Sequence, residues 1–78
     1  MENKNEMADS GFRIRVVLEE MHEKNPDLYI LSTDAICSSE NLMNDIIDIY
    51  DDYRNDYGMH WQEAAADAIR RVLKDFEK

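Results

Sequence analysis

His22, Cys37 and His60 are the side chains in this sequence best suited to holding a metal or forming a nucleophile–base pair. Structural zinc needs four nitrogen or sulfur ligands at short, recognisable spacings, and these three fall on separate segments without one. A thiol nucleophile needs a base, an orienting acid and an oxyanion element, and no such set accompanies Cys37. It reads as a small buried or half-buried thiol, and Ser38 and Ser39 read as helix caps. An aspartate-rich segment invites a calcium loop, but the register fails. With Gly58 at the glycine position, the first ligand positions would be Tyr53, Asn55 and Tyr57, and the twelfth Ala64. Both glycines stand alone, so no phosphate-cradling loop exists. The expectation is no catalytic residue, no metal, no cofactor and no enzyme.

What remains is electrostatics. The stretch NDIIDIYDDYRNDYG, residues 44–58, holds five aspartates and one arginine in a segment with helical periodicity. Aspartate is a mediocre helix former, and negative charge near a helix C-terminus opposes the macrodipole. At 100° per residue, Leu42, Met43, Ile46, Ile47, Ile49, Tyr50, Tyr53 and Tyr57 share one arc. Asp45, Asp48, Asp51, Asp52 and Asp56 fill the opposite one with Asn41, Asn44 and Asn55, and Arg54 sits at the boundary. The row Asp45, Asp48, Asp52, Asp56 spans roughly 16 Å, the length of about five phosphates along one DNA strand. A short side chain holds its carboxylate close to the backbone, so the row is a comparatively immobile array of charge.

The chain as a whole agrees in sign. Eighteen acidic against nine basic residues leave a net charge of −9. Such a chain repels nucleic acid and anionic membranes and attracts basic protein surfaces. Seventy-eight residues allow one small domain with little room for an enclosed substrate cavity. An apolar share of 44% is ordinary for a folded chain. One cysteine, no signal-like segment and no transmembrane-length apolar run point to a reducing, cytoplasmic setting.

Three segments must position the acids. Residues 1–8 read as a mobile tail, and residues 9–78 as a single helical domain. Residues 12–24 carry two periodicities. Phe12, Ile14, Val16 and Leu18 alternate as in a strand, whereas Ile14, Val17, Leu18 and Met21 follow helical spacing. The helix is preferred, with Asp9 or Ser10 as cap and Asn25-Pro26 as terminator; the alternative is a short β-hairpin with residues 28–32. Residues 28–37 read as an extended connector or one helical turn packed on the core. Residues 39–57 form a helix capped by Ser38 or Ser39 and closed by Gly58. Residues 60–76 form another, with Trp61, Ala65, Ala68, Ile69, Val72, Leu73 and Phe76 on its apolar face. His60 and Glu63 imitate a capping box at its start. Its outer face mixes signs, Asp67 facing Arg70 and Arg71, and Arg71 facing Asp75.

The sequence therefore predicts an all-α fold, a three-helix domain built on an antiparallel hairpin of residues 39–57 and 60–76. Leu42, Ile46, Ile49, Tyr53, Trp61, Ala65, Ile69, Val72 and Phe76 should supply its core, closed by Ile14, Val17, Leu18 and Met21. The functional expectation is a small acidic, non-enzymatic protein that binds a basic protein surface and blocks it. Asp45, Asp48, Asp51, Asp52, Asp56 and Tyr57 are the contact residues. In its sharpest form the blocked partner is a nucleic-acid-handling enzyme and the helix a DNA mimic. Small size and acidity are shared with anti-restriction and anti-CRISPR proteins, and equally with small immunity proteins and antitoxins; this is a likeness of class, not of sequence. The alternative is a regulatory or adaptor module that forms a homodimer through Met43, Ile47 and Tyr50, its acids only solubilising.

Overall fold

Asn25-Pro26 ends the first helix, as the rigid ring and the restricted residue before it require. The structure, a computed structural model, describes residues 2–78, with side chains from residue 10 onward. Helix α1 runs Glu2–Lys24, α2 Thr33–Ser38, α3 Glu40–Asp56 and α4 Trp61–Val72, and a 3-10 turn follows at Lys74–Phe76. The fold is all-α, with no strand among the described residues. Its one β-like feature is an isolated antiparallel bridge between Tyr29 and Glu77. The mobile tail expected over residues 1–8 lies outside the residues whose side chains are described. Asp9 and Ser10 do not cap α1; the helix runs through them.

Burial decides the ambiguous first segment. Ile14, Val17 and Leu18 are buried, whereas Phe12, which a strand would place beside Ile14, is 69% exposed. Period 3.6 wins over period 2 because only the helix faces one side of α1 onto both α3 and α4.

The hairpin of α3 and α4 forms as its sequence predicts. Ser39 caps α3, its side-chain oxygen accepting from the Leu42 amide at 3.3 Å. Gly58 turns the chain with φ of +64°, where an L side chain would be strained. The Met59 amide then donates to the Tyr53 carbonyl at 3.1 Å. His60 does occupy the N-cap position of α4, but its side chain makes no capping bond, so the expected capping box is not formed. The expected helix over 60–76 stops at Val72. Beyond Leu73 the backbone tightens, and the Phe76 carbonyl accepts from the Ile30 amide at 2.9 Å instead of continuing a helical ladder.

The core is one cluster drawn from all four helices. Ile14, Leu18, Ile36, Ile46, Ile69 and Leu73 are its largest fully enclosed side chains. Ala64, Ala65 and Ala68 are also sealed, and their small size brings α4 close to its neighbours. Of the expected core, Leu42, Ile49, Tyr53, Trp61, Val72, Phe76 and Met21 pack at its margin, only partly buried. Two residues of the segment 28–37 are buried in it: Ile36 from α2, the helical turn that packs on the core, and Tyr29 from the loop before it.

Burial pushes the Tyr29 hydroxyl above the ordinary tyrosine range, Glu77 adds to the rise and Arg70 partly offsets it. Because burial raises the folded pKa above the unfolded one, Tyr29 ionisation takes nothing from stability below about pH 10. Stability falls as pH climbs from there toward the folded value, since the buried ring resists the charge that the unfolded chain accepts. The urea midpoint should fall between pH 8 and pH 11, and Tyr29→Phe should remove Tyr29's share of that fall. An identical drop in both proteins would contradict the assignment.

Candidate functional site

Helix α3 presents its acids as the periodicity requires. Ile46 and Tyr50 point into the core, so the opposite side of the helix turns outward. Asp45, Asp48, Asp51, Asp52 and Asp56 are all exposed. Among the described residues, Asp45, Asp48, Asp52 and Asp56 take part in no ion pair within 4 Å.

Among the described residues, Arg54, Arg15, Arg70 and Arg71 direct their hydrogen bonds and ion pairs away from this row. Arg54, the one base of α3, folds back over the turn, its Nη1 donating to the Met59 carbonyl at 2.9 Å. Arg15 reaches Asp34 at 2.7 Å and Glu19 at 3.3 Å, tying α1 to α2. Arg70 pairs with Asp67 at 2.9 Å within α4. Arg71 makes no pair with Asp75; it donates to the Tyr53 hydroxyl at 3.4 Å. That bond is the main reason its guanidinium pKa rises, and Asp52 contributes only a weaker coulombic part.

The unfavourable features of α3 are small enough for the fold to carry. Aspartate costs at most about 0.7 kcal/mol per residue in helix propensity relative to alanine. The dipole acts within the last turn, so its penalty falls mainly on Asp56, at about 0.3–1 kcal/mol. The like-charged pairs Asp48–Asp52 and Asp52–Asp56 add about 0.2–0.5 kcal/mol each. These costs are borne locally, without internal neutralisation of the row.

Tyr57 sits at the C-terminal end of the row and is 73% exposed. Its ring meets that of Tyr53 edge-on, 5.7 Å between centroids and 89° between planes. Tyr53 is half-buried and hydrogen-bonded by Arg71, so the exposed ring rests on an anchored one. The i, i+4 spacing of the two tyrosines carries this signal in the sequence. A second cationic contact was not legible there: Arg13 of α1 stacks 5.3 Å from the Trp61 ring centroid and donates to the Tyr50 hydroxyl at 3.4 Å. Tyr50 is thereby consumed by the core at 2% exposure, while Met43 and Ile47 are only partly buried.

The potential metal and nucleophile residues serve other purposes. His22 Nδ1 lies 2.6 Å from the Thr33 hydroxyl, joining the end of α1 to the start of α2. His60 tilts against Trp61. Burial pushes the Cys37 thiol upward despite nearby Arg15, which lowers its thiolate fraction and its reactivity. No group of three or more His, Cys, Asp or Glu side chains is placed to hold a metal ion among the described residues. No helix among them is long and apolar enough to cross a membrane.

The chain matches no family model, no curated protein and no solved structure.

Proposed function

We propose that the protein is a non-catalytic blocker that docks the acidic face of α3 onto a cationic surface of another protein. The supporting observation is the outward row of carboxylates that the helix's one base, Arg54, does not neutralise. Such a row steers a basic partner from a distance and covers about the length of five phosphates on one DNA strand, the kind of charge a phosphate-reading cleft is built to meet. Tyr57 supplies a contact ring at one end, where an arginine can stack on it. The partner in this reading is a nucleic-acid-handling protein in the cytoplasm, held off its substrate by occupation of its binding cleft. The dimerising adaptor is the weaker reading, because Tyr50 is buried within one chain and only partly buried Met43 and Ile47 remain of its apolar surface.

The experiment is capture from a nuclease-treated lysate at about 0.05 and 0.5 M salt, followed by competition with duplex DNA. A nucleic-acid-binding protein should be retained at low salt, released at high salt and displaced by the duplex. Retention that survives both salt and DNA would remove the proposal.

A further inference from the structure

We infer that residues 74–78 form a strap that opens and recloses while the four helices stay folded, and that its opening exposes Tyr29 and His22 to water. The strap is lightly held. One backbone hydrogen bond, from the Ile30 amide to the Phe76 carbonyl at 2.9 Å, fastens it to the loop before α2. That bond belongs to the antiparallel Tyr29–Glu77 bridge, and a Lys78–Asp27 ion pair at 3.6 Å adds to the attachment. That pair is exposed on both sides, and such pairs contribute little. Of the five strap residues only Phe76 is partly buried, so one apolar side chain anchors the whole segment.

Beside it lies a reason to open. Tyr29 is 3% exposed, yet its hydroxyl has no hydrogen-bond partner among the described residues, and neither does the buried Nε2 of His22. The two rings meet edge-on at 5.9 Å. An enclosed polar group without a partner is a standing penalty on the closed form, and it is relieved once water enters. Closing is favoured by burial of the Tyr29 ring and of Phe76, so the two forms are set against each other locally. Tyr29 and His22 border a cleft of about 430 Å³ whose rim includes Pro26, Ile30, Leu31 and Lys78. Lifting the strap takes away the Lys78 rim and frees the Tyr29 hydroxyl and His22 Nε2 toward a wall that already mixes Pro26, Ile30 and Leu31 with Ser32 and Thr33. A site of that composition suits a small molecule bearing a hydroxyl or amide.

Native-state hydrogen exchange tests the strap. Ile30 reports on it, and Leu73, whose amide donates to the Ile69 carbonyl at 2.9 Å, reports on the core. The Ile30 amide should exchange at least about a hundredfold faster than that of Leu73, at a rate insensitive to low denaturant, as local opening requires. Tyr29→Phe keeps the ring and deletes the unpartnered hydroxyl. It should slow Ile30 exchange by about fivefold or more, because the closed form loses its penalty. Exchange of Ile30 and Leu73 at one rate with one denaturant dependence would mean that no separate strap exists. An Ile30 rate unchanged by Tyr29→Phe, with Leu73 slowed, would mean that opening does not reach Tyr29. Either result overturns the inference.

Discussion

Reversing Asp48, Asp52 and Asp56 to lysine together is expected to abolish retention of the cationic partner while the fold survives. Each reversal changes the charge by two, so the net charge moves from −9 to −3. Three attractive contacts become repulsive at one face, and like-charge juxtaposition across an interface costs several kcal/mol. Affinity should fall by at least about a hundredfold. Stability should not fall with it. The three side chains are exposed and make no ion pair among the described residues, so what is given up is small, chiefly the weak attraction of Asp52 for Arg71. A lysine at position 56 also complements the helix C-terminus, a gain of about 0.3–1 kcal/mol. An unfolding temperature equal to or slightly above that of the native sequence, with binding gone, is the combination that supports the docking face. Unaltered binding by the triple variant would eliminate it, and a collapse of stability would show that the row is structural.

The second large effect concerns stability. Ile36→Ala should destabilise the protein by about 2–5 kcal/mol, the usual cost of removing a large side chain from a sealed core. A domain of this length has about 4–12 kcal/mol in total, so the loss is a large share of it. The unfolding temperature should drop by on the order of 10–30 °C. Ile30→Ala, six residues earlier, should change stability by no more than about 0.5 kcal/mol, because Ile30 is 59% exposed. Chemical denaturation of the two variants side by side is the measurement. Equal, small effects would mean that α2 is only a connector and that Ile36 does not close the core.

Ile36 also marks where sequence reasoning stopped. The segment 28–37 is too short to show a period, and six helical residues flanked by extended chain give no repeat from which to choose a buried face. What settles Ile36 is the surface that α1 and α3 jointly offer to α2, and what settles Tyr29 is its place between the His22 ring and Glu77; both depend on elements outside the segment. The same holds at the end of the chain. Leu73 and Phe76 continue the apolar stripe of α4, so the pattern extends the helix to 76, but the competing Ile30–Phe76 bond ends it four residues earlier. That competitor lies more than forty residues away in sequence, out of reach of any local rule.

The acidic face behaves differently. Periodicity within α3 places Ile46 and Tyr50 inward and the five aspartates outward, because a regular helix converts spacing directly into direction. Ser39 and Gly58 bound that helix for reasons internal to their own residues, a capping oxygen and the freedom to adopt positive φ. The all-α class, the α3–α4 hairpin and the side on which the charge lies were thus determined by local chemistry. Where the cations went was not. Arg54 lies at the edge of the row and, judged from its sequence position, could equally have neutralised it. Only the folded turn, by bringing the Met59 carbonyl within 2.9 Å of its guanidinium, turns it away. Pairing between side chains depends on distances that the backbone sets after it has turned, so tertiary structure decided whether the row kept its charge.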